Sequence, residues 1–177
     1  MSAVQQLDRP AALAVPAAIL AMPNGEWAMA LYASDMPTRR GDHTAEQIAA
    51  WIVQGVERLG GEVAVWQRSQ EFAKALDIRD QAKRSAAWKR LFPKPRREDR
   101  ARGLAYGLSL DLRQAGVQRR FPMVLVDHGT DEIGQHWASE VPARDVEMYE
   151  RATGEAVPLY QLDGPRAVTV LVSGRAA

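Results

Sequence analysis

Two groups of side chains in this 177-residue chain have the types and spacing to do chemistry. The first is Asp127-His128-Gly129-Thr130-Asp131-Glu132, with His136 four residues beyond Glu132. Two of the chain's three histidines are here. Asp127, His128, Asp131 and His136 offer carboxylate oxygens and imidazole nitrogens suited to Zn²⁺, Mn²⁺ or Mg²⁺, and such an ion would activate water or polarise a phosphoryl oxygen. In that reading His128 and Asp131 hold the metal, while Glu132 or His136 handles protons, giving a metal-dependent phosphodiester hydrolase. The spacing matches no HExxH pattern, and the bland alternative is a polar loop in which Asp127 caps a turn. No cofactor other than a divalent metal is suggested.

The second group is basic. Residues 68–120 hold fifteen of the 23 Lys and Arg against six acids, whereas residues 1–66 hold four against seven and residues 121–177 four against nine. A formal charge of +1 therefore conceals a polarised molecule, and polarity of this kind speaks about partners rather than fold. Read as helices, the stretch places Arg79, Lys83 and Arg90 on one stripe and Arg102, Tyr106 and Arg113 on another. Lys94, Arg96, Arg97 and Arg100 surround Pro93 and Pro95 on the link between them. Cations spread in this way suit phosphates, because they release condensed counterions and Arg adds bidentate hydrogen bonds; Tyr106 adds a stacking face.

The same cations would serve an acidic protein surface, so the partner is nucleic acid, DNA or RNA, or an acidic protein. A small non-enzymatic nucleic-acid-binding protein is the leading expectation, followed by an interaction or inhibitor protein and then by the metal-dependent hydrolase. The bland reading of the basic run is a solvated helix surface. Zinc-finger spacing, a basic leucine zipper, GxSxG, GxGxxG and the Walker pattern are all missing from the sequence.

These residues need elements to position them. The Thr44 to Leu59 stretch is the strongest helix, with a Thr44/Gln47 capping box, an apolar face of Ile48, Ile52, Val56 and Leu59, and Gly60-Gly61 as its stop. Residues 69–115 read as three helices punctuated by Pro93 and Pro95, the last carrying an arc of Ala101, Leu104, Ala105, Leu108, Leu112 and Ala115. Ser69 is expected to start the first of these.

Strands are expected at Ala17 to Met22 and Trp27 to Ala33, joined by Asn24-Gly25 as a hairpin, and at Glu62 to Trp66. Phe121 to Asp127 reads as a strand buried on both faces. Val157 to Leu162 and Ala167 to Val172 would close the chain as a second hairpin around Asp163-Gly164, after a helix over Ala143 to Ala152.

The expectation is an α/β or α+β fold in a single domain over 1–177, with a mixed sheet of five or six strands and loose residues 1–12. With no cysteine, thiol chemistry and disulfides are excluded, which fits a cytoplasmic location. The apolar run Ala11 to Met22 follows Asp8 and Arg9 and contains Pro16, unlike a secretory signal. No apolar run reaches the roughly 20 residues that span a bilayer, so no membrane partner is expected.

Overall fold

Pro16 and Pro23 set the start of the chain's first two helices, each standing at the N-cap where a missing N–H costs nothing. The computed structural model describes residues 13–161 and 169–171. Among these the order is α1 (Ala17–Leu20), α2 (Asn24–Ala33), α3 (Ala45–Leu59), α4 (Glu62–Leu76), α5 (Gln81–Leu91), α6 (Pro95–Gln114), β1 (Met123–Thr130), β2 (His136–Pro142), α7 (Ala143–Thr153) and β3 (Thr169–Leu171). Two units result, Met1–Arg119 and Arg120–Ala177.

The first unit is helical and is organised around α2, against which α3, α4 and α6 pack. Glu26 through Leu31 are all buried. A helix apolar on every face has no 3.6-residue periodicity, and its continuous run looks like a strand. The Trp27 indole donates to the Ile19 carbonyl at 2.8 Å, tying α2 to α1. Gly55 of α3 lies directly on Ala30 of α2, where an added Cβ would overlap the Ala30 carbonyl.

Among the described residues the sheet has three strands, in the order β1-β2-β3, rather than the expected five or six. Asn24-Gly25 opens α2 instead of turning a hairpin, Ala17 to Leu20 is helical, and Glu62 to Trp66 is the start of α4. Gly60 and Gly61, with φ of 99° and 110°, serve as a joint between two helices rather than an exit into a strand. Thr44 does form the expected capping box with Gln47. The first basic helix starts at Glu62 rather than Ser69, whose hydroxyl donates to the Trp66 carbonyl from within α4. The second is entered through Asp80, which accepts from the Lys83 N–H at 2.8 Å. The third carries Pro95 in its first turn and buries Ala101, Leu104, Ala105, Leu108 and Leu112.

The second unit is an antiparallel ribbon of β1 and β2, followed by α7. β1 is half-exposed along its length, so it is not the doubly buried strand that its apolar run suggests. Of the expected strand Val157 to Leu162, the described residues contribute one antiparallel bridge, Leu159 to Val126, and β3 runs parallel to β2. The expected second hairpin is therefore replaced by this short parallel pairing; its Asp163-Gly164 turn lies outside the described residues. The α7 helix ends at Gly154, φ 74°, as its sequence implies.

Candidate nucleic-acid interface

The basic side chains of the helical unit fall into two populations. Arg79, in the turn between α4 and α5, is exposed, as are Lys83 and Arg90 on α5, the Lys94 side chain, Arg96 in the first turn of α6, and Arg113 in its last. None of these six side chains has a partner among the described residues. Because Arg79 precedes the helix, only Lys83 and Arg90 share the expected stripe on α5.

Arg97 and Arg100 are turned inward instead. Arg97 donates to the carbonyls of Tyr32 (2.8 Å), Met36 (3.0 Å) and Ser34. These groups lie at and beyond the end of α2, where helical carbonyls have no partner of their own and the macrodipole favours a cation. Arg100 reaches the Gly41 carbonyl at 3.3 Å.

Arg102 is intermediate in character. Its guanidinium donates to Glu98 at 3.3 Å and lies 5.9 Å from the Trp88 ring centroid, while more than half of the side chain stays exposed. Burial pushes the Glu98 carboxyl above its ordinary value, and the Arg102 charge opposes that shift.

Arg119 closes the unit from the other end. It stacks 3.7 Å from the Trp27 centroid and donates to the carbonyls of Leu20 and Met22 and to Asn24 Oδ1. Burial lowers its pKa to about 10.

Residues 1–119 carry 18 Lys and Arg against 13 Asp and Glu, and residues 120–177 carry 5 against 9. The helical unit is thus +5 and the other −4. Arg58 consumes one of the helical unit's acids, pairing with Asp35 at 2.6 Å. Two features escaped the sequence because several helices build them. One is a groove of about 160 Å³ lined by Asn24, Gly25, Ala28 and Met29 of α2, Phe72 of α4, and Arg102, Ala105 and Tyr106 of α6. The other groove, about 370 Å³, contains Leu76, Trp88, Arg84 and the exposed Lys89.

In the second unit the acid and histidine cluster separates into independent pairs. His136 Nε2 lies 2.7 Å from Asp127 Oδ1, and its Nδ1 lies 3.0 Å from the Thr130 hydroxyl. His128 instead meets Ser139 at 2.5 Å, across a bulge in the β1 and β2 register. Asp131 spends both carboxylate oxygens on the turn, accepting from the Ile133 and Gln135 backbones and from the Trp137 indole. Those bonds, led by the indole, hold its pKa below the ordinary value. Glu132 is exposed in the same turn. Among the described residues no three His, Asp or Glu converge as metal ligands.

Among the described residues no helix is long and apolar enough to cross a membrane. No protein-family model matches the chain, and no curated protein or solved structure matches it either.

Proposed function

We propose that the helical unit is a non-enzymatic nucleic-acid-binding module that grips the phosphate backbone. The observation that carries this reading is that Arg79, Lys83, Arg90, Lys94, Arg96 and Arg113 are exposed and have no partner among the described residues. Cations already paired to carboxylates would have to exchange one anion for another. Open ones gain the full release of counterions from the polyanion. Contacts of this kind set position and affinity rather than base sequence.

Purification at low salt is a direct test. The five tryptophans give the protein strong absorbance at 280 nm, so an elevated 260 nm signal that a high-salt wash removes supports the reading. Protein that elutes free of nucleic acid at low salt, and fails to bind added oligonucleotides, contradicts it.

A second reading, docking on an acidic protein, is favoured by the groove that combines Leu76 and Trp88 with Arg84 and Lys89. An apolar floor with cationic edges suits an acidic amphipathic segment. A partner retained on the protein after nuclease treatment would support that reading over the first.

A further inference from the structure

The groove beneath Tyr106 adds a feature that phosphate binding alone does not require. Its floor is apolar, made by Ala28 and Met29 of α2, Phe72 of α4 and Ala105 of α6. At its rim stands Tyr106, 63 % exposed, with no partner for its hydroxyl among the described residues. A large ring held open beside an apolar slot is costly to leave in water unless something covers it. Arg102 lies one helical turn before Tyr106, about 6 Å along the axis, and Arg113 two turns after it, about 10 Å along. The aromatic ring is thus flanked along α6 by two exposed guanidinium groups: Arg113, without a partner among the described residues, and Arg102, more than half of whose side chain stays open beside its Glu98 contact.

We infer that the nucleic acid taken by this surface is single-stranded, with an unpaired base stacked on Tyr106 against the Met29 and Phe72 floor and its neighbouring phosphates on Arg102 and Arg113. The inference rests on the phosphate-binding reading above and deepens it. A duplex presents phosphates to the same cations but keeps its bases stacked within the helix, so it cannot fill the slot. An unpaired strand exposes both, and base-on-aromatic stacking tolerates any sequence. The site is built from α2 and the two helices, α4 and α6, that pack against it, so it needs no segment to order before the base enters.

Fluorescence anisotropy with a labelled homopolymeric DNA strand, its RNA counterpart and a duplex of equal length tests this. The expected result is tighter binding of the single strands than of the duplex. Tyr106→Ala should weaken single-strand binding about tenfold while leaving duplex binding unchanged, and Tyr106→Phe should retain it. Because Tyr106 is exposed, these variants should keep the wild-type circular dichroism spectrum and melting temperature. Lys83→Ala combined with Arg90→Ala should weaken both ligands together. Equal affinity for strand and duplex, or Tyr106→Ala binding like wild type, overturns the stacking inference and leaves phosphate binding standing. Loss of binding to every ligand by the wild-type chain overturns both.

Discussion

The guanidinium of Arg97 donates to the carbonyl of Tyr32 at 2.8 Å, joining the first turn of α6 to the end of α2 across 65 residues of chain. With Ser34 and Met36 it closes three backbone acceptors through one side chain. Arg97→Ala should therefore cost about 2 kcal/mol of stability, because each hydrogen bond to a charged group contributes on the order of 1.5 to 3 kcal/mol and this one is partly exposed. Arg97→Lys cannot reproduce the fork and should recover little. Urea denaturation checks it; an unchanged midpoint in Arg97→Ala would show that the fork is dispensable.

Gly55→Ala should be more damaging than its size suggests. The new methyl group meets the Ala30 carbonyl, and α2 is held on its other sides by α4 and α6. Overpacking of this kind costs about 3 kcal/mol when neighbours cannot retreat. Thermal melting should fall sharply, whereas Gly103→Ala, where a Cβ meets nothing, should not lower it.

Glu98 predicts a pH dependence. The unfolded chain loses this proton near the ordinary value of 4.5, while burial makes the folded chain keep it to higher pH. Stability from this group is thus fully present below 4.5 and is lost as pH rises through the folded value. Glu98→Gln removes the loss, so its stability relative to wild type should improve as pH rises from about 4.5 through the folded value. A constant difference across that range would contradict the assignment.

Asp131 behaves in the opposite sense. Its turn bonds lower the folded pKa, so the stability they confer on the ribbon is present above 3.8 and is lost as pH falls through the folded value. In ¹⁵N NMR spectra the Trp137 indole signal should shift on acidification in wild type and should lose that step in Asp131→Asn. Retention of the step in the variant would place its origin elsewhere.

What could be read from the residues depended on whether an element meets solvent. The Thr44 box, the Gly60 stop and the apolar arc of α6 were legible because α3 and α6 each have an outer face to contrast with the buried one. α2 was not, since Trp27 to Leu31 are buried on every side and no period survives. Its Asn24-Gly25 start carries strong turn chemistry, which misled in the same direction. Glu62 to Trp66 failed for a related reason, as a short apolar alternation after two glycines fits a strand until its continuation to Leu76 is considered.

The basic surface was legible as a charge excess, but its composition was not. Which arginines face water depends on contacts distant in sequence: nothing near Arg97 or Arg100 announces the Tyr32 and Gly41 carbonyls they serve. The groove under Tyr106 was invisible for the same reason, being assembled from three helices. In the ribbon, adjacent Asp127 and His128 engage different partners, so proximity in sequence did not become one site.

The central claim is that the exposed cations of the helical unit bind nucleic-acid phosphates, and the salt dependence of binding tests it most directly. Affinity for a labelled single strand should fall at least about tenfold between about 50 and 200 mM salt, and Arg79→Ala, Lys83→Ala and Arg90→Ala combined should weaken binding and flatten that slope. Absent binding, or binding indifferent to salt, would contradict the claim.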